Sequence, residues 1–133
     1  MRVAAAVFAA ALGSARIAAA DPHEDYMLHC QGCHGPGGEG LAGSVPSFRD
    51  NVARFVAVPA GREYLVRVPG TSQSELSDAR IAALLNWLLH AFSPKQIPAD
   101  FVPYDEAEVA RVRHPPLLNV QAVRSGLLSH PSP

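Results

Sequence analysis

The longest amphipathic segment of the chain begins near Ser74 or Ser77 and stops before Pro94. Within this segment, apolar side chains recur at intervals of three and four residues, at Ile81, Leu84, Leu85, Leu88 and Phe92. A period close to 3.6 residues predicts a helix with one buried face. Because proline cannot continue a helix, Pro94 marks its end.

A second helix is predicted to begin at Asp21, with Pro22 at the first helical position and Glu24 at the third. It runs through Tyr26 and into the stretch 30–34, until the Gly- and Pro-rich stretch 35–40 stops it. Tyr26 lies four and seven residues before the two cysteines of the chain, so all three share one helix face. We expect Tyr26 to pack in the core.

The remaining pattern predicts short elements only. Residues 51–57 are expected to form a short helix, and residues 58–70 an irregular loop with brief extended pieces, because paired Pro/Gly turns bound a short apolar run. Beyond residue 94 the chain is Pro-rich, with short helices predicted over 105–113 and over 119–128, the second capped by Asn119. The predicted fold class is therefore all-α. The apolar faces of the Pro-rich segment suggest that it wraps the core, with a disordered tail as the alternative.

The first twenty residues have the pattern of a secretory signal peptide: Arg2, an apolar run and a small-residue exit at Ala18, Ala19 and Ala20. The apolar run is shorter than the roughly 20 residues that span a bilayer, so we expect no stable membrane insertion, although an uncleaved anchor is an alternative. The net charge is −1, and no basic patch suggests a nucleic-acid partner. The predicted location is the bacterial periplasm.

The residues with a chemical signature are Cys30, Cys33 and His34, which form a C-x-x-C-H motif and include both cysteines of the chain. The motif predicts covalent attachment of one haem c through the two thiols, with His34 as an axial ligand of the iron. Three other interpretations stay open. These are half of a zinc site, a thioredoxin-type redox pair, and a plain disulfide or a chance match to the motif.

From Cys30 to Gly40, and again at Pro46, the sequence resembles the haem-binding segment of class I monohaem cytochromes c. The resemblance implies a small helical domain over residues 21–93. It stops at Pro94, and residues 94–133 are predicted to form a C-terminal extension packed on or wrapping that domain. The resemblance also implies that the carbonyl of Pro46 accepts a hydrogen bond from the ring of His34, which would orient that ring.

The chain departs from this family at the second axial ligand. Class I cytochromes usually supply a methionine from the loop before the last helix, but no methionine follows Met27. His114, His90, water or no ligand are the options for the sixth position. By helical geometry His90 faces solvent. Tyr64, Arg62 and Arg67 are expected in a loop on the distal side, where they could line a water-holding pocket.

The resemblance favours a soluble electron carrier and not an enzyme, with a periplasmic dehydrogenase or oxidase as redox partner. One alternative is an open-coordination haem protein that binds a gas or a peroxide, with weak peroxidase activity left open. Another is a haem subunit of a larger redox complex.

Overall fold

The computed structural model describes residues 21–129, and the predicted signal segment lies outside them. The described chain is helical, as the all-α prediction requires, and contains no named strand in this range. Its α-helices, in chain order, are α1 Pro22–His29, α2 Gln31–His34, α3 Pro59–Arg67, α4 Pro69–Ser72, α5 Asp78–Phe92, α6 Glu106–Val112 and α7 Val120–Ser129. Short 3₁₀ helices lie at Val52–Ala57 and Pro94–Gln96. No helix in the described range is both long and apolar enough to cross a membrane.

Helix α1 begins as predicted, with the Asp21 carboxylate accepting a hydrogen bond of 3.0 Å from the His23 backbone N–H. The continuous helix predicted through residue 34 is wrong, because Cys30 has non-helical backbone angles (φ −125°, ψ −38°). Gly32 lies within the following turn and Gly35 directly after it. Because glycine is a poor helix former, the local sequence favours a continuous helix only weakly. Helix α2 is therefore a separate turn, which ends at Gly35 in a positive-φ conformation.

Helix α5 is the central element of the core and matches the hydrophobic pattern. Ser77 caps it by accepting a hydrogen bond of 3.3 Å from the Arg80 backbone N–H. Its buried face consists of Ile81, Ala82, Leu84, Leu85, Leu88 and Leu89. Helix α1 packs on α5, where Tyr26 is fully buried with its ring centroid 5.4 Å from that of Trp87. The predicted core role of Tyr26 is confirmed.

The loop predicted over residues 58–70 is wrong, because this stretch forms α3 and α4. Pro59 and Pro69 each occupy the start of a helix, where a missing N–H costs nothing, so they begin helices here. Glu63 and Arg67 form an ion pair of 2.8 Å one helical turn apart, which adds local support to α3. Helix α3 packs closely on the 3₁₀ helix Val52–Ala57.

The segment after residue 94 contains the two predicted short helices. The Asp105 side chain caps α6 by accepting a hydrogen bond of 2.7 Å from the Glu108 N–H. Asn119 accepts one of 3.1 Å from the Ala122 N–H at the start of α7. Helix α6 contacts α5 and α3, and α7 contacts α3. The described part of this segment therefore lies against the helices that precede it.

Two polar contacts fix the C-terminal segment to the helical core. Arg62 of α3 makes a two-pronged ion pair with Glu108 of α6, at 2.9 Å from Nε and 2.6 Å from Nη2. Asn86 of α5 binds the Tyr104 backbone in both directions, donating to its carbonyl at 2.9 Å and accepting from its N–H at 2.8 Å. Both contacts join residues that are distant in sequence, so they specify the path of this segment over the core.

Candidate functional site

The two thiols and the imidazole of the C-x-x-C-H motif face one cavity. The turn that contains them is closed by backbone hydrogen bonds from the Cys33 and His34 N–H groups to the Cys30 carbonyl, at 3.2 and 3.0 Å. The cysteines are free thiols and are not joined in a disulfide. Within residues 21–129, no cluster of three or more His, Cys, Asp or Glu side chains is arranged to hold a metal ion. The local fold thus presents both sulfurs and one ring nitrogen to the same space.

His34 is oriented by the contact that the resemblance implies. Its Nδ1 lies 3.1 Å from the Pro46 carbonyl oxygen, and since a carbonyl only accepts, Nδ1 carries the proton. The other ring nitrogen, Nε2, then keeps its lone pair free for a metal. The Phe48 ring stacks on the imidazole at 3.8 Å. Burial lowers the pKa of His34, and this effect outweighs the hydrogen bond to Pro46, which raises it. The neutral imidazole that an iron ligand requires is therefore favoured.

The electrostatic environment of Cys30 does not suit a redox-active thiol. Burial raises the pKa of Cys30 to about 11, and the nearby Asp25 and Cys33 add to the effect. Thioredoxin-type cysteines need a lowered pKa, because the thiolate is the reactive species. The Cys30 environment therefore disfavours the thioredoxin interpretation.

The cavity has a volume of about 340 Å³ and mostly apolar walls. This volume falls within the range of roughly 300–1,000 Å³ that is usual for cofactor and ligand sites. Beside the motif residues, its walls contain apolar side chains from the 3₁₀ helix Val52–Ala57, from α3, from α5 and from the connections between α3 and α5: Val52, Phe55, Leu65, Val68, Leu76, Ile81, Leu84, Leu85 and Leu88. Haem c needs two thiols for covalent attachment and an oriented imidazole to bind its iron. Both thiols and the imidazole lie at this apolar cavity, so the residues present fit that group.

One wall of the cavity comes from α3, α4 and the loop 73–77, and we call it the distal wall. Its lining residues are Tyr64, Leu65, Val68, Gly70, Thr71, Ser74 and Leu76. Between residues 44 and 124, no residue that lines the cavity is a methionine, histidine, lysine or cysteine. Met27 is half exposed on α1 and does not line the cavity. This wall therefore contributes hydroxyl groups and apolar surface to the cavity that His34 also lines.

The histidines considered for the sixth position lie elsewhere. His90 is exposed at the end of α5, as its helical position predicts, and His114 is also exposed. Neither lines the cavity. His29 is exposed, and it also contributes to the cavity rim beside Cys30. In the sequence, only the position of His29 directly before Cys30 indicates that it lies near the cavity.

The arginine that lines the cavity is not one of the two that the sequence predicted there. Tyr64 lines the cavity as expected, but Arg62 and Arg67 do not, because Arg62 binds Glu108 and Arg67 donates to the Pro115 carbonyl at 2.9 Å. The arginine that does line it is Arg124 of α7, whose guanidinium lies 5.1 Å from the centre of the Phe55 ring. Nothing local in the sequence marks Arg124, because α7 is brought to the cavity by packing on the distant helix α3.

Fold and site together define a helical domain that gathers two thiols and an oriented imidazole at an apolar cavity. No protein-family model matches the chain. Cytochrome c-552 of Thermus thermophilus is 32% identical over 120 residues, which cover 77% of this chain and 80% of that protein. A second cytochrome c-552 from the same species is 31% identical over 102 residues, which cover 63% of this chain and 78% of that protein.

At this identity and coverage, the chain belongs to the c-type cytochromes. Its cofactor is covalently bound haem c with iron, and its function is in electron transfer. The resemblance seen in the motif is thus extended by the comparison to most of the chain.

Proposed function

We propose that this protein is a monohaem electron carrier in which Cys30 and Cys33 hold the haem and His34 binds its iron. Haem c exchanges single electrons when bound. The observation that carries the proposal is the convergence of both sulfurs and the His34 ring on one apolar cavity. Each thiol would add its S–H across one vinyl group of the haem. The Pro46 carbonyl, by holding the proton on Nδ1, leaves Nε2 available to the iron.

The other side chains position the site and exclude water from it. The Tyr26 hydroxyl donates to the Gly35 carbonyl, next to His34, and so fixes the end of the motif turn. Asp25, which is almost fully buried, pairs with Arg80 and ties α1 to α5. The apolar walls lower the local dielectric constant, which reduces the rearrangement of water when the charge on the iron changes.

We also propose that no thioether occupies the sixth position of the iron. This finer assignment is supported by the composition of the distal wall and by the half-exposed position of Met27 outside the cavity. Since His90 and His114 are exposed and outside the cavity as well, water or an empty position is favoured over either histidine. Loss of the thioether should lower the reduction potential relative to His/Met cytochromes.

The remaining assignments follow from the sequence. We propose cleavage of residues 1–20 on export to the periplasm, a cytochrome domain over 21–93 and an extension over 94–133. A dehydrogenase or an oxidase would be the redox partner. The ion pair between Arg62 and Glu108 and the contacts of Asn86 with Tyr104 support an extension that is held on the domain.

The proposal is tested by mass spectrometry and visible spectroscopy of the mature protein. After acid-acetone extraction, we expect the haem mass to remain on the chain, and Cys30→Ala or Cys33→Ala to impair maturation. The ferric protein should lack the weak long-wavelength charge-transfer band of Met-ligated haem, and the ferrous protein should bind carbon monoxide readily.

Three results would contradict parts of the proposal. Haem that extracts freely would refute the attachment through Cys30 and Cys33. A long-wavelength band that is present in the wild type and lost in Met27→Leu would show that Met27 reaches the iron. If the iron is instead low-spin with two nitrogen ligands, His114→Ala and His90→Ala distinguish the two histidines.

A further inference from the structure

The guanidinium of Arg113, directly after α6, is inserted into the connection between α4 and α5. Its Nε donates to the Ser72 carbonyl at 3.0 Å, and its Nη1 donates to the Leu76 carbonyl at 2.9 Å and to Asp78 Oδ1 at 2.8 Å. Its Nη2 donates to the Ser74 carbonyl. Four of the five N–H donors of this side chain are therefore directed at residues 72–78. Only 11% of the side chain is exposed.

The contact is reciprocal, because the Ser72 hydroxyl donates to the Arg113 carbonyl at 2.6 Å. Ser72 is almost fully buried, so this hydrogen bond is shielded from water. Both partners are thus held in a single geometry. A planar, forked cation suits several carbonyl acceptors at once, and a lysine could not reproduce the arrangement.

Two of the carbonyls that Arg113 binds belong to residues of the distal wall. Ser74 and Leu76 both line the cavity, and both lie in the loop 73–77, outside α4 and α5. A loop without a helical hydrogen-bond ladder depends on side chains for its carbonyl partners, and such loops open locally at low cost when those partners are lost. The order of this part of the distal wall therefore depends on a residue about forty positions further along the chain.

We propose that Arg113 is a positioning residue that keeps the distal wall closed and so limits the entry of small ligands to the sixth position of the iron. The inference rests on the proposed function, in which no side chain of the described chain fills that position. It assigns a specific role to the C-terminal segment: that segment sets how accessible the iron is.

The test uses carbon monoxide as the probe and the haem-loaded protein as the sample. Flash photolysis gives the second-order rate of carbon monoxide binding for the wild type, Arg113→Ala and Arg113→Lys. We expect Arg113→Ala to bind about tenfold faster, since it removes several charge-assisted hydrogen bonds from the closed loop. Arg113→Lys should fall between the two. Hydrogen exchange of amides 73–77 should accelerate in the same order.

Glu108→Gln is the matched control. Glu108 also anchors the C-terminal segment, but through an ion pair with Arg62 that does not involve the loop 73–77. Glu108→Gln should reduce stability while leaving the carbon monoxide rate within about twofold of wild type. If both variants accelerate binding equally, general loosening is the cause and the specific role of Arg113 is refuted.

The failure of this inference is distinct from the failure of the proposed function. A wild-type protein that binds no carbon monoxide contradicts the open sixth position. A wild-type protein that binds it, at a rate unchanged in Arg113→Ala and Arg113→Lys, overturns the role of Arg113 alone. If Arg113→Ala does not accumulate with haem, Arg113→Lys, which keeps the charge but loses the forked donors, is compared with the wild type alone, and an equal rate would again overturn the role of Arg113.

Discussion

Gly61 allows α3 to approach the 3₁₀ helix Val52–Ala57 more closely than any other residue would permit. A Cβ atom added to Gly61 would lie 2.8 Å from the Phe55 carbonyl carbon, and closer still to its oxygen. The obstacle is backbone, so no side-chain rotation relieves it. Gly61→Ala must therefore displace α3 from its neighbour.

The expected cost follows from two opposing effects. Overpacking of a tightly packed contact costs about 1–3 kcal/mol, and a clash with backbone belongs at the upper end of that range. Replacing glycine by alanine in a helix returns up to about 1 kcal/mol. Gly61→Ala should therefore lower the free energy of unfolding by about 2 kcal/mol, which lowers the melting temperature by roughly 8 °C for a domain of this size.

Gly126→Ala is the matched control, because a Cβ atom at Gly126 of α7 meets nothing within 4 Å and this residue does not line the cavity. It should be neutral or stabilise the protein by about 0.4–1 kcal/mol, through the lower entropy of the unfolded chain. Thermal unfolding of the haem-loaded variants by far-ultraviolet circular dichroism measures both. Since α3 contributes Tyr64 and Leu65 to the cavity, the Soret band of Gly61→Ala should shift as well. Equal melting temperatures for the two variants would refute the close approach of α3.

Two further variants test the C-terminal segment. Asn86→Ala removes both hydrogen bonds to the Tyr104 backbone and should destabilise the protein by about 1–3 kcal/mol in urea unfolding; an unchanged midpoint would mean that water replaces the amide. Arg124→Gln removes a positive charge from the cavity. Because the loss of this charge favours ferric iron, the reduction potential should fall by up to about 59 mV, which corresponds to a tenfold change in the one-electron equilibrium. Arg111→Gln removes the same charge from an exposed position outside the cavity and should leave the potential nearly unchanged in the same redox titration.

The elements that sequence reasoning found are those whose signals are local. The period of α5, its cap at Ser77 and the start of α1 at Asp21 depend only on neighbours within one or two helical turns. The same holds for the spacing that directs Cys30 and Cys33 to one cavity. The contact between His34 and Pro46 came from the resemblance, and the structure contains it.

The error over residues 58–70 has a physical cause. Proline and glycine were interpreted as breakers, but Pro59 and Pro69 begin helices, and Gly61 is required by the close approach of α3 to Phe55. Whether a glycine ends an element or permits a contact depends on what packs against it. That information lies in the tertiary structure and not in the local sequence.

Long-range packing also decided which cationic side chains reach the site. Arg113 and Ser72 are 41 positions apart, and Arg62 and Glu108 are 46 apart. Helical periodicity identifies the face on which a side chain lies, but it does not identify the partner that this face meets across such a distance. The sequence by itself therefore determined the start of α1, the extent of α5 and the chemistry of the motif. The tertiary structure alone decided that Arg124 lines the cavity and that Arg113 binds the loop of the distal wall. It also decided that Arg62 binds Glu108 away from the cavity. Each of these positions depends on how helices that are distant in sequence pack together.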